Sequence, residues 1–312
     1  MESQKMQNKN GQINIVLYDK EGVKVEPDQR QRISYNESSP FYRIDQEFSS
    51  FVGMDYLKHS IKEIYAMITI NEKRKQVGLN SSNQVLHMLF KGNPGTGKTT
   101  IARKLASVYY DMNILSKGHF IEAERADLVG EYIGQTAQKT RAIIQKAAGG
   151  ILFIDEAYSL ARGGEKDFGK EAIDTLVKHM EDDHDDFVLI LAGYPYEMER
   201  FLLLNPGLKS RFPFILDFQD YAVDQLLQIA KKMLQEREYQ LTNEAEWKLR
   251  EQIILEKNHS PHNFSNARFV RNVIEQSIRK QAMRILKQNK ISTDTLITLT
   301  RQDLVFDKLS SY

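Results

Sequence analysis

The chain has 312 residues, of which 41% are hydrophobic and 27% charged, a balance that is typical of folded proteins and unlike that of disordered ones. Its formal net charge of +1 provides no overall attraction to nucleic acid or to an anionic membrane, and the absence of cysteine excludes disulfides and thiolate zinc sites. The polar N-terminus shows no signal peptide, and no apolar run approaches the roughly 20 residues that cross a bilayer. We therefore predict a cytoplasmic protein without a nucleic-acid or membrane partner.

Residues 1–45 are predicted to form an N-terminal extension. Apolar and polar residues alternate over 13–17, just before a Lys20-Glu21-Gly22 turn, and this pattern favours a small β-hairpin. A polar stretch over 27–40 reads as a linker. After it, apolar residues at helical spacing predict a one-sided helix over 56–75.

The middle of the chain alternates short apolar runs with helical segments. The predicted strands cover 85–90, 119–123, 151–154, 187–192 and 214–217. This order predicts an α/β domain over 46–218, a five-stranded parallel sheet with helices on both faces. Beyond it, three amphipathic helices over 226–234, 245–255 and 268–286 predict a small all-α lid domain over 219–312.

A nucleotide-binding loop follows the first predicted strand of the sheet. The segment Gly92-Asn93-Pro94-Gly95-Thr96-Gly97-Lys98-Thr99 matches the P-loop pattern and lies between a strand and a helix, the context that this pattern requires. Glycines let successive N–H groups point at phosphates, and the helix that follows, from Thr100 onward, adds the positive end of its dipole. We expect Lys98 to contact the β- and γ-phosphates and Thr99 to bind Mg²⁺.

Two carboxylates follow the buried run at 151–154, about 57 residues after Lys98. Parallel sheets hold ligands at this end of their strands. We expect Asp155 to position Mg²⁺ and Glu156 to orient or deprotonate the attacking water, since phosphoryl transfer depends on positioning and charge stabilisation. The cofactors predicted are ATP and Mg²⁺, and an Asn-Lys-x-Asp motif for reading guanine does not occur.

These motifs resemble those of the AAA+ ATPases from about Phe51 to the C-terminus. More narrowly, the chain is similar to the subfamily of the stage V sporulation K proteins and the CbbX-type rubisco activases. The stretches that carry this narrower resemblance are Glu124 to Gly134, Gly149 to Arg162 and Asn205 to Phe212. The resemblance implies an ATP hydrolase that forms a hexameric ring with nucleotide between subunits, and a role in endospore formation.

The resemblance also implies roles for single residues. Arg211 matches the arginine finger that reaches a neighbouring site, and Arg268 matches the sensor-2 arginine of the lid. Tyr132-Ile133-Gly134 matches the pore loop that grips a polypeptide, and Val52-Gly53 matches the segment that packs on adenine. Tyr194 occupies the sensor-1 position, where the family usually has Asn or Thr, so this chain departs from the pattern there.

Three functions are compatible with these features. The leading one is an ATPase ring that remodels or threads an unidentified protein partner. The second is an ATP-dependent assembly switch or scaffold with little turnover, which the unusual Tyr194 favours and the intact Asp155, Glu156 and Arg211 oppose. The third is a DNA-remodelling machine, which the near-neutral charge disfavours. Action on rubisco would rest on analogy of fold alone and is not predicted.

Overall fold

The computed structural model describes residues 40–80, 85–132, 134–163, 167–183, 186–260, 263–288 and 291–306. The predicted N-terminal hairpin and most of the predicted linker lie outside these residues. Contacts divide the chain into the units Met1–Tyr42 and Arg43–Tyr312. All elements described below belong to the second unit, except that the first helix begins at Tyr42.

The large domain contains a five-stranded parallel sheet in the order β2-β3-β4-β1-β5. Its strands are β1 (Met88–Gly92), β2 (Phe120–Ala123), β3 (Ile151–Ile154), β4 (Val188–Gly193) and β5 (Phe214–Phe218). Every residue of β3 and β4 is buried, whereas the edge strands β2 and β5 each contain exposed residues. The continuous apolar runs therefore became the central strands, which helices cover on both faces.

The helices of the large domain alternate with these strands along the chain. They are α1 (Tyr42–Glu47), α2 (Asp55–Gln76), α3 (Lys98–Asp111), α4 (Arg125–Leu128), α5 (Gln135–Ala147), α6 (Gly169–Asp182), α7 (Pro195–Leu204) and α8 (Pro206–Lys209), with a 3₁₀ turn at Ala157–Ala161. The predicted helix over 56–75 corresponds to α2, which buries Leu57, Ile61 and Ile64 on one side.

The lid has its own apolar core, formed mainly by α9 (Val223–Gln235), α10 (Asn243–His259) and α11 (Asn266–Ile285). Two features escaped the sequence analysis: a short helix, α12 (Thr293–Ile297), and a parallel pair of two-residue strands, β6 (Gln240–Leu241) and β7 (Thr298–Leu299). The predicted fold class, a P-loop sheet domain followed by a helical lid, is confirmed. The exact limits of the domains stay a prediction.

The first strand begins later than predicted, at Met88 rather than at residue 85. The reason lies in His87, whose Nδ1 accepts a hydrogen bond from the backbone N–H of Leu189 at 3.1 Å. The histidine ring therefore takes up a backbone N–H of β4 next to the first residue pair of β1 and β4, Met88 and Ile190. None of the helices in the described ranges combines the length and apolar character that crossing a membrane would require.

An ion pair between Arg284 of α11 and the buried Asp303 holds the segment around residue 303 against this helix. Arg284 donates to Asp303 through Nε at 2.7 Å and through Nη2 at 2.9 Å, and the backbone N–H of Thr300 donates to the same carboxylate at 2.8 Å. Burial acts to raise the pKa of Asp303, but the hydrogen bonds from Arg284 and Thr300 outweigh it and keep the pKa below its usual value.

We expect Asp303→Ala to lower the free energy of unfolding by about 2 kcal/mol, because it removes a buried carboxylate and leaves the partly buried Arg284 without its partner. Asp224→Ala removes an ion pair with Arg250 at the surface and should cost less than about 1 kcal/mol. Denaturant unfolding of both variants tests the difference. Equal effects of the two substitutions would contradict the prediction. Since the pKa of Asp303 is lowered in the folded protein, its contribution to the free energy of unfolding is present at neutral pH and should be lost as the pH falls below about 4.

Candidate functional site

The P-loop connects strand β1, which lies between β4 and β5, to helix α3, as predicted. Gly95 and Gly97 have φ values of +68° and +96°, a region that side chains other than glycine rarely adopt. The Thr96 hydroxyl donates to the carbonyl of Asn93 at 2.8 Å and closes the loop on itself. The curled backbone ends at Lys98, the first residue of α3.

Lys98 lies inside this curl with only 8% of its surface exposed. Its Nζ donates to the carbonyls of Gly92 at 2.7 Å and Asn93 at 2.9 Å. Burial lowers the pKa of the ammonium to about 8, although the nearby Asp155 carboxylate acts in the opposite direction. A bound phosphate group would supply the negative charge that this buried cation attracts.

A cleft of about 260 Å³ opens between the P-loop, the ends of β3 and β4, and the lid helix α11. Ten of the predicted site residues line it: Pro94, Gly95, Gly97, Lys98, Thr99, Thr100, Asp155, Glu156, Tyr194 and Arg268. We call it the phosphate cleft. Gly92, Asn93 and Thr96 shape the P-loop beside it, whereas Val52, Gly53 and Arg211 do not line it.

Asp155 and Glu156 follow the fully buried strand β3 and lie at the mouth of the phosphate cleft. Glu156 adopts a left-handed conformation, with φ +47°, that is costly for a residue with a side chain. Its backbone N–H donates to Asp155 Oδ1 at 2.9 Å, which fixes the turn. A threonine hydroxyl and a carboxylate are oxygen ligands that suit Mg²⁺, so Thr99 and Asp155 fit the predicted metal role.

Two tyrosines lie near Glu156. The ring of Tyr194 lies 5.8 Å from that of Tyr158 and 5.9 Å from Lys98 Nζ. Burial raises the pKa of both phenols, and the Glu156 carboxylate raises them further. Tyr158 escaped the sequence analysis, although its position two residues after Glu156 in a tight turn was visible.

The segment predicted to pack on adenine lies beside a second cavity of about 310 Å³. Met54, Thr96, Tyr221 and Gln225 are among the residues that line this cavity, whereas Val52 and Gly53 precede it in the chain. A Cβ atom at Gly53 would lie 2.5 Å from Gln225 Nε2, so the segment packs closely on the lid helix α9. The contact of Val52 and Gly53 with a base stays a prediction.

The lid contributes two arginines to the phosphate cleft, of which the sequence analysis found one. Arg268 lies in the first turn of α11, and Arg271, three residues later, faces the same cleft. Residues three apart share one side of a helix, so this spacing was the signal available for Arg271.

The predicted pore loop lies between α4 and α5. The side chain of Tyr132 is 67% exposed, and a Cβ atom at Gly134 would meet nothing within 4 Å. Ile133 lies outside the described residues. An exposed aromatic residue beside an open glycine agrees with a gripping role, which stays a prediction.

Helix α4, which leads to this loop, is tied to the turn that follows Glu156. Arg125 donates to the carbonyl of Ser159 at 2.7 Å and to Asp167 Oδ1 at 2.6 Å. The hydrogen bond from Arg125 holds the pKa of Asp167 below its usual value. The backbone N–H of Ser159 in turn donates to the carbonyl of Glu156 at 2.7 Å. A short chain of contacts therefore connects the turn after Glu156 with helix α4, which leads to the predicted pore loop.

Arg211 lies between α8 and β5, outside the phosphate cleft of its own chain. It forms an ion pair with Glu181 and also donates to the carbonyl of Gly207. Its Nε is buried and has no hydrogen-bond partner among the residues that the structure describes. A separate groove of about 760 Å³ borders Glu156, Arg125 and Arg268 and is open to the outside.

Three features define the AAA class of ATPases: a P-loop after an interior strand of a 2-3-4-1-5 parallel sheet, two carboxylates two strands away, and a helical lid over the cleft. The sequence agrees: residues 88–220 match the family described as "ATPase family associated with various cellular activities (AAA)", and residues 222–311 match the AAA lid domain. The chain belongs to the AAA ATPase family. Membership of this family implies that the chain binds and hydrolyses ATP.

Within this family the chain is similar to stage V sporulation protein K of Bacillus subtilis (strain 168), with 60% identity over 302 residues that cover 95% of this chain and 94% of the relative. Protein CbbX of Cereibacter sphaeroides is 41% identical over 88% of this chain and 89% of its own. The predicted subfamily is thereby confirmed. The AAA domain of FIGL-1 in complex with ADP shares the fold, with a TM-score of 0.55, 20% identity and coverage of 82% of this chain and 81% of that one.

Proposed function

We propose that the chain is a Mg²⁺-dependent ATP hydrolase that assembles into a hexameric ring and remodels or threads a protein partner. The observation that carries this proposal is the phosphate cleft, which brings Lys98, Thr99, Asp155, Glu156 and Arg268 together. By similarity to stage V sporulation protein K, the proposed setting is endospore formation. The identity of the partner is left open.

The roles within the cleft follow from charge and position. Lys98 and Arg268 would hold the phosphates, and Thr99 and Asp155 would hold Mg²⁺, which supplies positive charge that offsets the charge on the phosphates. Glu156 would accept a proton from the attacking water, which its exposed position at the mouth of the cleft permits. Tyr158 lies close enough to the Glu156 carboxylate for the pKa of the phenol to be raised by it, and it would help to orient that carboxylate.

The ring is proposed because the cleft lacks one cation that the family places there. Arg211 does not line the phosphate cleft of its own chain. The open groove beside Glu156 provides space for an arginine from a neighbouring subunit. Each site would then be complete only in an assembly.

Steady-state ATP hydrolysis, measured over a wide range of protein concentration together with the size of the assembly, tests this proposal. Activity per subunit should rise steeply with concentration as rings form. Constant activity per subunit while the assembly changes from monomer to ring would contradict sites shared between subunits. Absence of turnover at every concentration would favour the assembly switch, for which Tyr194 in place of the usual sensor-1 residue is the specific observation.

Tyr132→Ala should leave basal ATP hydrolysis unchanged but weaken the grip on a polypeptide by about tenfold, since truncating one aromatic anchor costs on the order of 1 to 2 kcal/mol. Binding of unfolded casein, followed by fluorescence anisotropy, and its effect on the rate of ATP hydrolysis provide the measurement. Trp247→Ala is the matched control, because Trp247 is similarly exposed, at 63%, but lies on the lid helix α10. Full casein binding by Tyr132→Ala would remove the pore-loop role.

A further inference from the structure

A buried polar network joins the lid helix α11 to the P-loop. At its centre is Asn266, the first residue of α11, which is fully buried. Its Nδ2 donates to Asp220 Oδ1 at 2.7 Å, to the carbonyl of Phe264 at 2.9 Å and to the carbonyl of Pro94 at 3.3 Å, and its Oδ1 accepts from the N–H of Tyr221 at 3.0 Å. An amide has two N–H donors, so three acceptors share them.

The P-loop engages the same carboxylate from its other side. Asn93 Nδ2 lies 3.1 Å and 3.0 Å from the two oxygens of Asp220. The backbones also meet, because the N–H of Ala267 donates to the carbonyl of Gly95 at 3.2 Å. A Cβ atom at Gly95 would lie 2.2 Å from the carbonyl oxygen of Ser265, so the approach leaves no room for a side chain. One carboxylate and one amide thus connect the P-loop with the start of α11.

The backbone of Asn266 shows that this arrangement is under strain. Its φ of +46° lies in the left-handed region, which costs about 1 kcal/mol or more for a residue with a side chain, although asparagine tolerates the region better than most. Such a conformation persists where surrounding contacts determine it. The hydrogen bonds of Asn266 are those contacts, and they fix the direction in which α11 leaves the P-loop.

The residue that depends on this direction is Arg268, two positions further along α11. It lines the phosphate cleft, and its guanidinium makes no hydrogen bond or ion pair with any residue that the structure describes. The backbone at the start of α11 therefore sets the point from which this side chain enters the cleft.

We propose that Asn266, held by Asp220, is a positioning residue that fixes the start of α11 against the P-loop and thereby places Arg268 over the bound phosphates. This inference rests on the proposed function, in which Arg268 contacts nucleotide. Asn266 and Asp220 are far from the P-loop in the sequence, so this role is visible only in the structure.

A double-mutant cycle between Asn266 and Arg268 tests the proposal. Asn266→Gly removes the side chain while glycine still adopts a φ of +46° without strain. Binding of a fluorescent, non-hydrolysable ATP analogue is measured for the unchanged chain, Asn266→Gly, Arg268→Ala and the double variant. We expect each single substitution to weaken binding by about tenfold and the double variant to be little weaker than either, which is a coupling of about tenfold, within the range for residues of one network.

Gln281 on the same helix provides a matched control. It is also a buried amide, and its Nε2 donates to the carbonyls of Thr295, Leu296 and Thr298 at 3.0 Å each, at the far end of α11 from the P-loop. Gln281→Ala should destabilise the lid in thermal unfolding as Asn266→Gly does. Its effect on nucleotide binding should be independent of Arg268, so that the loss of affinity in the Gln281→Ala, Arg268→Ala double variant equals the product of the two single losses.

Four outcomes would overturn the proposal. The effects of Asn266→Gly and Arg268→Ala could multiply, or Gln281→Ala could show the same coupling, in which case the effect is one of general stability. Arg268→Ala could bind the analogue as tightly as the unchanged chain, which would overturn the positioning role and leave the proposed ATPase intact. Failure of the unchanged chain to bind the analogue would overturn both.

Discussion

Arg211→Ala is expected to lower ATP turnover by about 10³- to 10⁵-fold, the range that in-trans arginine fingers contribute, while nucleotide affinity stays within a few-fold. The reason is that Arg211 lies outside the phosphate cleft of its own chain and would act on the site of a neighbour. Within its own chain it rests on Glu181 and on the carbonyl of Gly207. Turnover and analogue binding, measured on the same preparation, separate the two effects.

The control for charge is Lys209→Ala, which removes an exposed cation two residues away at the end of α8 and should leave turnover unchanged. Mixing provides a sharper test. Arg211→Ala retains a complete cleft and Glu156→Gln retains the finger, so mixed rings should recover part of the activity that neither variant has alone. Normal hydrolysis by Arg211→Ala would place the finger elsewhere in the chain.

Glu156→Gln is expected to bind ATP and to lose turnover by about 10² to 10⁴-fold, the usual contribution of a general base. Glutamine has nearly the same size and shape as glutamate, so the substitution removes charge and basicity with little change in packing. Rapid-quench measurement of a single turnover, after ATP binding has been verified, reports the chemical step directly.

Lys98→Ala is the comparison variant for Glu156→Gln. It removes the buried ammonium of the P-loop and should lose nucleotide binding itself. The two variants would therefore both be inactive for different reasons, which the binding measurement distinguishes. Turnover that persists in Glu156→Gln would remove Glu156 from the role of base.

The sequence predicted those parts of the fold that depend on local pattern. The run Ile151–Ile154 is apolar throughout, and its observed strand has the same limits because a central parallel strand is buried on both faces. The P-loop was predictable because its glycines and lysine occur at a fixed spacing within eight residues. By contrast, β6 and β7 contain two residues each, too few for any periodicity to show.

The contacts between distant segments could not be predicted in this way. Asn266 and Pro94 lie 172 residues apart, and nothing in the sequence near either of them indicates the other. The same holds for Arg125, which reaches Asp167 across 42 residues. Such contacts result from how the lid and the helices pack, and packing is a property of the whole chain.

The order of the strands has a consequence for residue 194. Because β4 lies between β1 and β3, the residue that follows it emerges between the P-loop, which follows β1, and the carboxylates, which follow β3. Neighbouring strands are roughly 5 Å apart, so a polar side chain at this point lies between the P-loop and the two carboxylates. The strand order thus fixes the position of residue 194, whereas the kind of side chain at that position is free to vary. In this protein it is a tyrosine.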